Sequence, residues 1–149
     1  MADGAEETGD AQLNTQMLKE KNRIMTTILL VSLGAAVGAN LRYWLSQWAA
    51  QQWGAAFPYG TLLINVLGSF SIGVVLTLAT TNAAISANLR LLIVTGLLGG
   101  FTTFSTFSYE TYQLLVEGSL LLAALYMLGS VGIGLVAVVL GAGLARFFA

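Results

Sequence analysis

Residues 99–110 read GGFTTFSTFSYE. These twelve residues hold two adjacent glycines, five Ser/Thr hydroxyls, three phenylalanines spaced three apart and a glutamate. They lie inside an apolar run, Leu89–Val116, that exceeds the ~20 residues a helix needs to cross a bilayer. Gly99-Gly100 lowers helix propensity, and Thr102-Thr103 adds β-branched stiffness. A break near the middle of this helix is therefore expected. Non-helical backbone at membrane depth is tolerated only where protein buries it or where it lines a cavity. The carbonyls freed by such a break can coordinate a cation, and the exposed amides can face an anion.

The rest of the chain sets the context. It has 149 residues, 56% hydrophobic and 9% charged, against roughly 25% charged in an average soluble domain. Three further apolar runs, about Ile24–Leu45, Tyr59–Thr81 and Ser119–Phe148, are also long enough to span. Strand-type alternation is absent, which argues against a transmembrane barrel. The expected fold is an all-α membrane protein with four transmembrane helices, the third broken, as one domain over residues 24–149, surrounded by membrane lipid. With no cysteine and no histidine, disulfides, thiolate metal sites and imidazole chemistry are excluded. No enzyme is indicated, and the few basic residues form no patch for nucleic acid.

Residues 1–23 differ. MADGAEETGD is acidic and nearly free of large apolar residues, so the tail is expected to be disordered. AQLNTQMLKEKNR could form a short surface helix with Leu13 and Met17 on one face. A signal peptide over Lys19–Ala39 is disfavoured, because the apolar run continues into LRYWL and ends in aromatics, as a span does. Four spans put both termini on one side, with Lys19, Lys21, Arg23, Arg90 and Arg146, while the other side carries only Arg42. The positive-inside rule then places the termini in the cytoplasm. Without the tail the count is two against one, and a core so evenly charged could insert both ways.

Polar residues line up on these helices. Helix two carries Thr61, Asn65, Ser69, Gly73 and Thr77 at every fourth position, hence on one slowly drifting face. Helix four repeats the idea with Tyr126, Ser130 and Gly134, and helix one has the small pair Gly34 and Gly38. Small residues let membrane helices approach closely, and Asn65 could simply bridge helices. The other reading is a polar track whose amide and hydroxyls face an ion. After the expected break come Phe104 and Phe107, with Ser105, Thr106 and Ser108 between and beside them. A phenyl ring has a positive edge that can favour a dehydrated anion, although plain packing also accounts for such rings. Glu110 and Arg42 lie in spans toward the same membrane side, either as a neutralising pair or as functional ionisable residues.

With these residues laid out, the chain closely resembles the fluoride channel family (Fluc, also called CrcB) over about residues 28–148. The stretches that carry the resemblance are GANLRYWLS at 38–46, GTLLINVLGSF at 60–70 and GGFTTFSTFSYE at 99–110. The N-terminal extension has no counterpart in it. The resemblance implies an antiparallel dual-topology homodimer in the plasma membrane, with two fluoride pathways. Pairing with a homologous chain is an alternative to the homodimer. The resemblance makes Phe104 and Phe107 the pore phenylalanines and Asn65 the residue presenting its amide. Thr61, Ser105, Thr106, Ser108, Tyr126 and Ser130 join the pathway, while Gly134 stands where a second hydroxyl is expected. It implies a structural sodium ion at the dimer centre, held by backbone carbonyls near Gly99 and Thr102 of each subunit. Arg42 and Glu110 match the family's helix-one arginine and the acid after the phenylalanine pair, in structural or gating roles. The implied function is passive export of cytoplasmic fluoride. The competing class is a four-span, dual-topology, proton-coupled exporter of small molecules, whose chemistry wants a carboxylate in helix one, where this chain has none. A non-transporting membrane subunit is a third reading.

Overall fold

The computed structural model describes residues 3–81 and 85–148, and every element among them is helical. Helix α1 runs Asp3–Trp53 and α2 runs Tyr59–Thr81. The third span is composite. It comprises a turn of helix α3 (Ala87–Arg90), a π-helical stretch Leu91–Leu98, the short α4 (Gly99–Phe101) and α5 (Phe104–Val116). Helix α6 runs Leu120–Phe147. Four helical segments are long and apolar enough to cross a membrane, so the protein is a multi-pass membrane protein.

The tail differs from expectation. Residues 3–23, expected as a disordered tail with at most a short surface helix over residues 11–23, continue α1 outward (residues 1–2 lie outside the described residues). The reason is cooperative. The first span supplies a finished nucleus, and adding residues to an existing helix costs far less than starting one. Gln, Leu, Met, Lys and Glu between Gln12 and Arg23 are good helix formers, and Arg23 donates to Glu20 one turn earlier, at 3.2 Å.

Two glycines make the sharp turns. Gly54 (φ 78°) ends α1 with its N–H on Ala50 O at 2.9 Å. Gly118 (φ 76°) ends α5, where Ser119 N–H reaches back to Leu114 O at 2.9 Å. Such left-handed closures suit glycine, which has no Cβ to clash.

Packing divides the bundle into two tight pairs, α2 on α6 and α1 on the π-helical stretch and α4. Both seams are made by small residues. A Cβ added to Gly34 would sit 2.7 Å from Leu97 N, and one on Gly100 would sit 2.6 Å from Ala35 O. On the other seam, Cβ atoms on Gly73 and Gly141 would collide with the backbones of Val138 and Phe70. The buried core is small, centred on Leu114, Ala123 and Tyr126 with Phe57, Leu62 and Phe107 against it. Long apolar side chains such as Leu121, Leu128 and Val139 face outward, as lipid-facing positions do.

Candidate functional site

The first unit of the site surrounds Thr102 and Thr103. Both have extended backbone, with φ −79°, ψ 156° and φ −150°, ψ 120°. The sequence reading drew the disruption from both Gly99-Gly100 and Thr102-Thr103; the extended residues are the two threonines, while the glycines are helical in α4. Gly100 is instead where Ala35 of α1 comes close, so its smallness serves packing. Extended backbone in a bundle needs partners from elsewhere. Asn65 of α2 supplies them: its Nδ2 donates to Thr103 O at 3.1 Å, and its Oδ1 accepts from Thr103 N at 3.0 Å. Thr103 Oγ1 then caps α5, accepting from Thr106 N at 3.2 Å and donating to Thr106 Oγ1 at 2.9 Å.

This exchange releases backbone acceptors. In an unbroken helix Thr103 N–H would donate to Gly99 O and Thr106 N–H to Thr102 O. Here the first turns to Asn65 and the second to the Thr103 hydroxyl. Gly99 and Thr102, with Asn65, Ser69 and Phe104, line an open cleft of about 320 Å³.

The second unit is centred on Glu110. Thr61 Oγ1 donates to its Oε1 at 2.8 Å, and Tyr126 OH donates to its Oε2 at 2.7 Å. Thr61 and Tyr126 are buried, at 3% and 1% exposure, so both hydroxyls are held away from bulk water. The carboxylate is thereby clasped by α2 and α6 together. Glu110 lines a cleft of about 340 Å³ together with Pro58, Tyr59, Gln113 and Glu117. Arg42 is not its partner: among the described residues the one ion pair is Arg23–Glu20. The neutralising-pair reading of Arg42 and Glu110 is therefore replaced by a hydroxyl clasp.

A row of rings connects the units. Phe104 and Phe107 lie 5.8 Å apart, Phe107 and Tyr126 5.1 Å, and Tyr126 and Phe57 5.5 Å, with tilted or edge-on planes. Phe104, at one end, is 79% exposed. One turn along α6 from Tyr126, Ser130 Oγ is buried without a hydrogen-bond partner. Ser108 Oγ donates to Phe104 O at 2.9 Å, and Ser105 Oγ lies 3.4 Å from Thr103 Oγ1. A Cβ on Gly134 would lie 3.5 Å from Ser69 Oγ, so α2 and α6 also face each other there.

This geometry of a two-residue extended break, an asparagine clasp and a ring row can be set beside known proteins. The family model described as "CrcB-like protein, Camphor Resistance (CrcB)" matches residues 29–142. The chain belongs to the CrcB family. A protein of Roseiflexus sp. (strain RS-1) named Fluoride-specific ion channel FluC is 64% identical over 119 residues, 80% of this chain and 96% of that relative. A protein of the same name from Chloroflexus aurantiacus (strain J-10-fl) is 57% identical over 124 residues, 83% and 98% of the two chains. One from Rhizobium etli (strain CFN 42) is 46% identical over 122 residues, 82% and 98%. The CrcB match begins after the tail and takes in both units of the site.

Sequence reasoning missed the centrality of Thr103, which reads as β-branched stiffness but acts as clasp and cap. A threonine directly before the helical run from Phe104, a favoured N-cap type, was the available signal. Phe57 was also missed, and no spacing rule would have placed it against Tyr126.

Proposed function

We infer that this protein is a passive, fluoride-selective channel that releases cytoplasmic fluoride down its electrochemical gradient. The observation that carries this reading is near full-length identity of 64% and 57% to proteins named fluoride-specific ion channels. The site chemistry agrees. Fluoride is small and a strong hydrogen-bond acceptor; chloride is larger and weaker. Buried hydroxyl donors in a low-dielectric setting favour the first. Thr61 and Tyr126 now spend their protons on the Glu110 carboxylate, itself a hard anionic acceptor. A fluoride ion competes for the same donors, so passage requires Glu110 to yield them. Ser130 Oγ offers a hydroxyl with no internal partner, and the ring edges of Phe104 and Phe107 continue the path. An inside-negative potential drives an anion outward with about 2.3 kcal/mol per charge per 100 mV, so no coupled energy source is needed.

The working unit in this reading is an antiparallel homodimer in the plasma membrane. Its support is the exposed face with Phe104 and the cleft lined by Gly99 and Thr102. The released carbonyls of Gly99 and Thr102 suit a sodium ion, since they are uncharged oxygen ligands left out of the helix ladder in two residues that line one cleft. A divalent ion would usually recruit carboxylates. Bound between two copies, sodium would supply charge and cross-linking there. The chain's own contribution is the pair of side chains that take the competing N–H groups, Asn65 for Gly99 and the Thr103 hydroxyl for Thr102.

The test is efflux from liposomes reconstituted with the protein at equal internal and external pH, with potassium and valinomycin clamping the potential. Fluoride leaves without a pH gradient if the protein is a channel. No fluoride efflux from intact, assembled protein would instead favour the proton-coupled small-molecule exporter or the non-transporting subunit.

A further inference from the structure

Phe57 lies in the turn between α1 and α2, and the pathway described above does not use it. We propose that Phe57 is a positioning residue for that pathway: its ring holds the Tyr126 ring so that the Tyr126 hydroxyl stays aimed at Glu110 and shut off from water in the neighbouring cleft. This deepens the channel reading and rests on it, since the hydroxyl matters to flux only if it meets fluoride.

The Tyr126 ring has an aromatic neighbour on each of two other elements. Phe107 of α5 lies 5.1 Å from it, and Phe57 lies 5.5 Å from it with the planes at 79°. Edge-to-face contact is a favoured aromatic arrangement, and it fixes orientation as well as distance. A tyrosine hydroxyl lies in the plane of its ring, so the placement of the ring sets where the hydroxyl reaches. Here it reaches Glu110 Oε2 at 2.7 Å. Phe57 also forms part of the wall of the 340 Å³ cleft that Thr61 and Glu110 line. Tyr126 lies behind that wall, at 1% exposure. Truncating Phe57 opens the wall beside the Tyr126 ring, and a water entering there competes for the hydroxyl and for the carboxylate. The turn is built to hold the Phe57 ring still. Phe57 precedes Pro58, the chain's one proline, which keeps it out of helical backbone. Its carbonyl accepts from Tyr59 N–H at 2.8 Å, while Pro58 O accepts from Leu62 N–H at 3.2 Å and joins the turn to α2. Phe57 also meets the Tyr59 ring at 4.7 Å, and Tyr59 meets Trp53 at the end of α1 at 5.6 Å. The turn between the first two spans is thereby tied, ring by ring, to a donor on Glu110.

The test pairs a flux measurement with one that involves no flux. Fluoride efflux from liposomes is measured for the full native chain, Phe57→Ala, Tyr126→Phe and the double variant. Phe57→Ala lowers efflux about fivefold, of the same order as loss of the hydroxyl itself. In the Tyr126→Phe background the same truncation lowers it by less than about twofold, because the hydroxyl it positions is already gone. Phe57→Tyr keeps the ring and holds efflux within about twofold of native. In parallel, the tyrosines carry an isotope label at the phenol carbon and are read by nuclear magnetic resonance in vesicles. The Tyr126 signal is identified by its absence in Tyr126→Phe. It moves toward the signals of the exposed tyrosines in Phe57→Ala and returns in Phe57→Tyr. If Phe57→Ala does not assemble, Phe57→Leu, which keeps apolar bulk without a ring, is taken through both measurements with the same directions expected. A Tyr126 signal unmoved by the truncation overturns the proposal. So does an efflux loss that is absent, or equally large with and without the Tyr126 hydroxyl. If native liposomes pass no fluoride, the channel reading fails, while the Tyr126 signal still decides whether Phe57 holds the hydroxyl.

Discussion

From Leu91 to Phe101 the third span is fixed by backbone against backbone. Gly34 and Gly38 of α1 sit so near Leu92, Leu97 and Phe101 that no Cβ fits between them. From Thr102 onward the hold changes character. Asn65 grips the backbone of Thr103, and Thr61 and Tyr126 grip the carboxylate of Glu110, all through side chains. A seam made of close backbones has one arrangement, because packed interiors do not deform continuously. A set of hydrogen bonds can be exchanged for others of similar strength. The first half of the span is thus held by backbone packing and the second half by exchangeable side-chain hydrogen bonds, which is what the proposed pathway requires.

The harshest way to break this contrast is to crowd the scaffold. Gly38→Leu would put its Cβ on Leu97 O and 2.8 Å from Phe101 N. Overpacking against a backbone that cannot move aside costs about 3 kcal/mol or more. The expected result is loss of a monodisperse peak in size-exclusion chromatography and a sharply lower Tm. A native-like Tm would mean the seam is not rigid.

Asn65→Ala should act differently. It strips both partners from the Thr103 backbone while leaving the glycine seams alone. Leaving such buried groups unpaired costs about 2 kcal/mol, so the protein should still purify with a lowered Tm. Fluoride efflux should fall about tenfold or more, since small misplacements of positioning groups have effects of that size. Native efflux with the clasp removed would separate Asn65 from the pathway.

A smaller loss is expected for Tyr126→Phe, which removes one of the two donors on Glu110 and keeps the ring row. Stability should drop by about 1.5 kcal/mol, as for a hydrogen bond to a charged group. Efflux should change several-fold, whereas an unchanged rate would show that this hydroxyl does not meet the ion.

Gly134→Ala sharpens the comparison from the quiet side. Its Cβ would meet Ser69 Oγ at an ordinary 3.5 Å, so the change should be within about 0.5 kcal/mol. Gly73→Ala, on the same pair of helices, would meet the backbone of Val138 and should be clearly destabilising. Equal Tm values for the two would mean that close approach is not what these glycines supply.

Much of this was legible in the sequence. Four apolar runs set the four spans, because length and hydropathy are enough when the surroundings are lipid. The four-residue spacing of Thr61, Asn65 and Ser69 correctly placed them on one face, since helix geometry repeats locally. Who sits opposite that face is not a local property. Sequence could not tell whether Asn65 would meet an ion or a backbone, and in the structure it meets Thr103. Glu110 invited pairing with Arg42 because both are charged on the same membrane side, yet the hydroxyls of Thr61 and Tyr126 reach it. Both pairs in GGFTTF suggested the break, and the extended residues are the two threonines; the glycines stay helical, and Gly100 serves close packing. The tail misled by composition alone, which ignores the helix it grows from.

The central claim is that this broken, donor-lined span passes fluoride and refuses chloride. The direct measurement is paired anion efflux from liposomes holding the purified protein, loaded with equal fluoride and chloride and read with ion-selective electrodes after valinomycin is added. The account predicts rapid loss of fluoride with chloride retained until detergent is added. Fluoride retained by intact, correctly assembled protein, or chloride leaving alongside it at a similar rate, would contradict it.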